Sequence, residues 1–208
     1  MPDFAHEERA RRDGYAVVAG VDEAGRGPLA GPVLAGAVIL EAAALSPALR
    51  QGLDDSKKLS PAVREELFEA LGREAVIGVG QADVDEIDAL NILQATMLAM
   101  SRAVKGLARR PDMALVDGNR EPALDCRVRC VIGGDAKSLS IAAASIVAKV
   151  TRDRIMANLA RGHPGYGWER NAGYGTAEHL AALRRLGVTP EHRRSYAPIR
   201  NMLRSTAS

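Results

Sequence analysis

The chain has 208 residues, 47% of them hydrophobic and 26% charged, with a net charge of +2. That length suits one domain over residues 1–208, able to bury roughly 70% of its unfolded surface, and the hydrophobic fraction excludes a disordered chain. No apolar run approaches the ~20 residues of a membrane span and the opening MPDFAHEERARR lacks a signal peptide's apolar stretch, so a cytoplasmic protein with no membrane partner is expected.

The charged N-terminus is expected to be frayed over about residues 1–14. Ala16 to Val21 (AVVAGV) then reads as a buried strand that stops at Asp22-Glu23, before the glycine- and proline-rich AGRGPLAGP. Pro32 to Leu40 reads as a second strand and GLDDSKKLSP as a polar loop. Ser60-Pro61 supplies the N-cap and first residue of a helix ending near Gly72, and a short strand is expected at Ala75 to Val79. From Asp83, Ile87, Leu90, Leu93, Met97, Met100 and Val104 recur at helical spacing, with Gly106 near the end of a single helix.

Met113 to Asn119 and Val128 to Ile132 read as two more apolar strands, the second halting at Gly133-Gly134-Asp135. Cys126 and Cys130, in C-x3-C spacing, make neither a disulfide framework nor the usual half of a zinc site, and read as reduced thiols on or near a strand. Ser138 to Leu159 is a long helix whose alanines require close packing. A glycine-rich loop spans Gly162 to Thr176. Thr176 caps a helix with Leu180, Leu183 and Leu186 on one face, Gly187 ends it, and the basic tail EHRRSYAPIRNML is part-helical. The alternation fits one α/β sheet.

Three apolar segments end in acids: Asp22-Glu23, Asp117 and Asp135. Carboxylates at one edge of a sheet lie where α/β proteins build sites. Clustered carboxylates must share a proton or hold a cation, and oxygen ligands alone favour Mg²⁺ or Mn²⁺ over zinc. Two such ions suit in-line displacement at phosphorus. An acid after a strand is also an ordinary turn or cap residue, so the pattern alone leaves both readings open. Asp22 and Glu23 alternate sides in a regular strand, so both reach one site only if the chain bends there.

Gly25-Arg26-Gly27-Pro28-Leu29-Ala30 fits a dinucleotide-binding fingerprint, but the preceding acids would repel a pyrophosphate, Pro28 removes a donor, and a strand rather than a helix follows. Arg26 between glycines suggests instead a loop whose backbone approaches a ligand closely. A tight connection with a solvated arginine is the plainer alternative. With aromatics at 3% and a nearly balanced charge, a broad base-stacking platform is not expected, and an anionic partner must be met by a local patch.

In order along the chain, GVDEAGRGPLAGPV, DDSKKLS, ALNILQATMLAM, LVDGN, GGDAKSLSIAAASIVAKVTRD, GYGT and HRRSYAPI resemble the blocks of ribonuclease HII, the bacterial type 2 ribonuclease H. The resemblance covers nearly the whole chain. It implies a ribonuclease H-like α/β fold, a mixed central sheet flanked by helices, with a C-terminal helical extension over about residues 176–208. It further implies a metal-dependent endoribonuclease that cuts the RNA strand of RNA–DNA hybrids and cuts 5′ of ribonucleotides embedded in duplex DNA, leaving 3′-hydroxyl and 5′-phosphate ends. Ribonucleotide and RNA-primer removal would be its role, and a monomer is expected.

Carried onto this chain, Asp22, Glu23, Asp117 and Asp135 would be the catalytic acids holding Mn²⁺ or Mg²⁺, two ions during catalysis. Gly25, Arg26 and Gly27 would read the ribose 2′-hydroxyl through backbone groups, and Tyr174 would stack on the neighbouring deoxyribose. The 2′-hydroxyl is the group that separates RNA from DNA. Lys57, Lys58, Arg193 and Arg194 lie on polar segments suited to phosphate contact or simply to solvent. His192 reads as a cap of the terminal segment and His163 as a loop residue. Relatives of this type commonly carry His-Lys before the Gly-Tyr pair, where this chain has Asn171-Ala172. A silent hybrid-binding module is the rival from another class, and the intact set of acids argues against it.

Overall fold

The computed structural model describes residues 1–205. In chain order its elements are α1 (Ala5–Arg12), β1 (Val18–Ala24), β2 (Val33–Ile39), α2 (Pro47–Gly52), α3 (Pro61–Glu74), β3 (Val76–Ala82), α4 (Val84–Leu90), α5 (Ile92–Lys105), β4 (Met113–Asp117), β5 (Arg127–Val131), a 3₁₀ turn (Gly134–Ala136), α6 (Leu139–Gly162), α7 (Trp168–Asn171), α8 (Ala177–Leu186) and α9 (Ala197–Ser205). The expected C-terminal extension therefore comprises α8 and α9, and its last three positions lie outside the described residues.

The five strands form one mixed sheet in the order β3-β2-β1-β4-β5. β1 pairs antiparallel with β2 and parallel with β4, which places β1 and β4 side by side at the centre. Helix α5 covers one face, where Ala95, Ala99, Met100 and Ala103 meet Ala19, Val21, Ala35 and Val116. Helix α6 covers the other, against Val38 and Leu40. The alanine-rich start of α6 has its reason in the strands beneath: a Cβ on Gly20 would lie 2.1 Å from the Ser140 carbonyl carbon, and one on Gly36 would lie 2.4 Å from the Ala144 oxygen. Small residues on both partners bring this helix against the acid-bearing strand. Among the described residues no helix is long and apolar enough to cross a membrane.

Several expectations need correction. Residues 1–14 are not frayed: Phe4, Glu7 and Ala10 are buried, because α1 packs against β1, β4 and the start of α6. The single helix from Asp83 to Gly106 is two helices. Asn91, at φ 70°, ends α4 and starts α5, its side chain accepting from the N–H groups of Leu93 and Gln94. Helix α2, capped by Ser46, and the single turn α7 inside the glycine-rich loop had no counterpart in the apolar pattern. In α8 Leu183 is buried while Leu186 is exposed, so the leucines do not share one buried face. Strand β1 runs past Val21 to Ala24, which places Asp22 and Glu23 within the strand. Helix α8, α9, Met156 of α6 and the Leu29-Ala30 turn enclose a second core around Tyr166 and Trp168.

Candidate active site

β1 and β4 run parallel with Val21 opposite Val116, so Asp22 and Asp117 are the next residue on each of two neighbouring strands. β1 stays regular there, Asp22 opposite Gly36 and Glu23 opposite Ala35, so the expected bend is absent. The strand instead ends beside Asp117, near enough that the Asp22 and Glu23 carboxyls both feel its charge. Asp22 is 4% exposed, and its Oδ1 accepts from the Glu23 N–H at 2.7 Å. The Ser145 hydroxyl of α6, which pairs with Ser56, also favours its charged form. Glu23 Oε1 accepts from Arg26 Nη1 at 3.2 Å, and Asp117 Oδ1 from the Gly134 N–H at 2.6 Å. Asp135, buried in the 3₁₀ turn, accepts from Lys57 Nζ at 3.3 Å.

These acids feel one another. Burial, then the charges of Glu23 and Asp117, holds the Asp22 carboxyl well above the usual carboxylate range. Burial raises Glu23 as well, against the opposing pull of Arg26. Asp117 is raised by burial and by the charge of Asp135, against the Gly134 hydrogen bond. Yet among the described residues no three His, Cys, Asp or Glu side chains form a ready-made ligand cluster, and each of these carboxylates accepts from a donor of the protein itself. A set of buried and half-buried, mutually repelling carboxylates with oxygen donors only is one that a hard divalent cation fits.

Of the basic residues expected at phosphates, Lys57 reaches into the acids and Lys58 pairs with Asp54 at 3.3 Å. Burial opposes the Lys57 charge, but Asp135 outweighs it and raises the ammonium. Arg194 is exposed, with its backbone N–H on Asp88. Arg193 is fully buried, which excludes a phosphate contact. Its guanidinium donates to the carbonyls of Gly25 (2.6 Å), Gly31 (2.9 Å), Arg26 and Pro32 (both 3.1 Å). A basic residue in a polar segment reads as solvated. Here it is spent on carbonyls that a sharp turn leaves without strand partners.

Sequence reasoning gave Arg152 no role. This α6 residue is also buried and donates to the carbonyls of Pro32 (3.0 Å), Ala30 (3.1 Å) and Ala172 (2.9 Å). Burial and the like charge of Arg193 push its guanidinium down to about 10. Arg193 pins the Gly25–Pro32 turn, and Arg152 ties that turn to the segment before Tyr174. Gly25, at φ +96°, has Arg152 Nε where a Cβ would be, and a Cβ on Gly27 would stand 3.4 Å from the Tyr174 ring. The Leu29 N–H donates to the Gly173 carbonyl at 2.8 Å. The glycine-arginine-glycine loop and the exposed Tyr174 are thus neighbours, and Arg26 joins them to Glu23.

Beneath Tyr174 lies a buried histidine pair. His179 Nδ1 donates to the Tyr174 carbonyl at 2.9 Å, and its Nε2 lies 3.0 Å from His192 Nε2 and accepts from the Trp168 indole. His192 Nδ1 accepts from the Thr189 N–H and hydroxyl, which closes the turn at 189–192 rather than capping the helix that follows. Burial, then the His179 charge, pushes His192 down to about 4. His163, at the end of α6, packs on Trp168. Asn171 fixes the turn by accepting from the Gly173 N–H and donating to the Tyr166 carbonyl.

Residues 19–199 match the family model described as Ribonuclease HII. A protein named Ribonuclease HII from Paramagnetospirillum magneticum is 63% identical over 199 residues, which are 96% of this chain and 97% of that one. Among solved structures, the ribonuclease H2 of Pyrococcus horikoshii OT3 superposes with a TM-score of 0.77 at 29% identity, over 92% of this chain and 99% of that one. Bst-RNase HIII in complex with Mn²⁺ shares the fold, with a TM-score of 0.72 at 19% identity over 91% and 70%. The chain belongs to the ribonuclease HII family, divalent-metal-dependent endoribonucleases that cleave RNA in RNA–DNA hybrids and ribonucleotides within DNA.

Proposed function

We propose that Asp22, Glu23, Asp117 and Asp135 hold the catalytic divalent ions, Mn²⁺ or Mg²⁺, while Gly25–Gly27 and Tyr174 select the ribonucleotide to be cut. Ions bound by such carboxylates supply an activated water and charge stabilisation of the leaving oxygen. The chain itself supplies position. Arg193 already occupies the Gly25 and Arg26 carbonyls, so the 2′-hydroxyl meets the N–H groups of that loop and the carbonyl lone pairs Arg193 leaves open. Tyr174 presents a ring, 48% exposed, for the adjoining deoxyribose. Lys57, held on Asp135, is placed to meet the scissile phosphate once an ion takes the carboxylate.

One observation carries the assignment: the Gly25–Gly27 loop packs on Tyr174 and, through Arg26, joins the half-buried Glu23 of the acid set. Cutting on the 5′ side of the ribonucleotide, with 3′-hydroxyl and 5′-phosphate products, follows from that reading. A cytoplasmic monomer serving ribonucleotide and primer removal is proposed alongside it from membership of the family. A duplex bearing one ribonucleotide, incubated with Mg²⁺, Mn²⁺ or neither and mapped for the cut, is the test. Cleavage 5′ of the ribonucleotide only with an ion is expected, and cutting without ions or at unmodified DNA would overturn the assignment.

A further inference from the structure

Glu7 of α1 is 1% exposed and lies at the beginning of α6, 131 to 133 residues away along the chain. Its Oε1 accepts from Ser138 Oγ at 2.6 Å, from the Ser140 N–H at 2.9 Å and from Ser140 Oγ at 2.6 Å. Its Oε2 is buried with no hydrogen-bond partner. Every partner it has among the described residues is a serine hydroxyl or a backbone N–H, so the helix N-terminus, not a basic side chain, offsets its charge. Ser138 Oγ already caps α6 at the Ile141 N–H. A buried carboxylate with one oxygen unbonded is costly, and capping does not require it.

The chain just before Glu7 is pinned to the same place. The Asp3 N–H donates to the Lys137 carbonyl at 3.2 Å and the Leu139 N–H to the Asp3 carbonyl at 3.0 Å. Phe4 shares a core with Leu139 and Ile146. From these pins to the acids is a step of three residues. The Lys137 and Ser138 N–H groups both donate to the Gly134 carbonyl, at 2.9 and 2.8 Å, and the Gly134 N–H holds Asp117. The segment 133–138 therefore carries Asp135 and orients Asp117, and residues 3–7 clamp its far end.

We propose that Glu7 is a positioning residue: with Asp3 it straps segment 133–138 to α6, so that Asp117 and Asp135 are set for a divalent ion before the ion arrives. The inference rests on the reading of those acids as ion ligands. Asp3 and Glu7 lie outside the residues matched by the family model, which begin at 19. It is tested on the full chain with Glu7→Ala and the isosteric Glu7→Gln. The measurements are Mn²⁺ titration calorimetry without substrate, amide hydrogen exchange over residues 133–140, and steady-state cleavage of a duplex with one ribonucleotide.

In Glu7→Ala the Mn²⁺ dissociation constant rises about 10-fold, as for loss of a group supporting metal ligands. Exchange across 133–138 speeds up, KM for the duplex changes less than about twofold, and excess ion restores most of kcat. Glu7→Gln lies between, and serves alone if the alanine variant does not fold. A lower melting temperature with an unchanged Mn²⁺ constant and unchanged exchange overturns the strap and leaves Glu7 as a core anchor. An unaltered chain that takes up no Mn²⁺ overturns the ligand reading, and the exchange rates alone then decide on the strap.

Discussion

Arg152 and Ala172 are joined by a 2.9 Å hydrogen bond from Nη1 to the carbonyl, while the same guanidinium holds the carbonyls of Ala30 and Pro32. One buried side chain thus ties the turn after β1 to the turn before Tyr174, with no carboxylate as counter-ion among these bonds. A lysine has no planar fork and cannot serve three carbonyls in that geometry. Each buried carbonyl left bare costs about 1–3 kcal/mol. Arg152→Lys is expected to lower stability by about 1–3 kcal/mol and Arg152→Ala by roughly 3–5 kcal/mol. Both blur the cut position at an RNA–DNA junction. Denaturant melts and cut-site mapping on folded Arg152→Lys check this, and a sharp cut pattern in that variant would separate Arg152 from recognition.

Asp117 ends a central strand, and its carboxylate is held by Gly134. Asp117→Asn keeps the shape and the acceptor oxygen but removes a charge from the acid set. Turnover is expected to fall on the order of 10³-fold or more, while binding of a hybrid, which draws on other residues, changes little. Cleavage kinetics beside a fluorescence binding curve measure both. Activity that survives both this substitution and chelation would show that the acids do not hold the catalytic ions.

The central strands and their acids were legible because an apolar β-branched run that halts at a carboxylate is a local signal. That Asp22 and Glu23 lie inside β1 was not, because strand length depends on the partner β2 offers beyond Val21. Asn91 was invisible as a helix break: it interrupts no apolar period and acts only through its cap geometry. Glu7 and Arg193 were misread for one reason. A charged residue in a polar stretch looks solvated unless the distant segment that supplies its partners is known, Ser138 and Ser140 for one and the Gly25–Pro32 turn for the other. Family resemblance pointed to the Gly25–Gly27 loop and Tyr174 as candidates, but Arg152, which ties the two segments together, carries no spacing signal.

The raised carboxyls give the ion-free protein a defined pH response. Asp22 is held above its unfolded value by burial and by its neighbours, and Glu23 and Asp117 are raised chiefly by burial. A carboxyl raised on folding contributes stability that is complete below its unfolded pKa, near 4, and is lost as the pH climbs through its folded pKa. The ion-free protein should therefore lose stability relative to Asp22→Asn as pH rises from about 4 toward 7. The variant should melt a few degrees higher at neutral pH. Mg²⁺ or Mn²⁺ should raise the melting temperature of the unaltered chain more at pH 8 than at pH 5, because ions and protons compete for the same oxygens. Melting curves across that range, with and without ion, test both statements. A pH-independent gap between the two proteins would mean that Asp22 carries no strained charge.

Ala172 stands where relatives of this type commonly carry a lysine, beside Tyr174 and at φ +47°. That left-handed geometry is strained for any residue with a Cβ, so Ala172→Lys adds little new backbone cost, and Arg152 still holds the carbonyl. The side chain is only partly buried, which leaves a lysine room to extend toward solvent and a phosphate. One added phosphate contact steepens the dependence of log K on log salt by about 0.9. Ala172→Lys is accordingly expected to bind a hybrid more tightly at low salt, by a margin that shrinks as salt rises, with kcat nearly unchanged. Binding isotherms from 50 to 200 mM salt, a range over which phosphate contacts are typically resolved, measure the slope. An unchanged slope would mean that nucleic acid does not pass position 172 closely enough to be met there, and the groove beside Tyr174 would have to run another way.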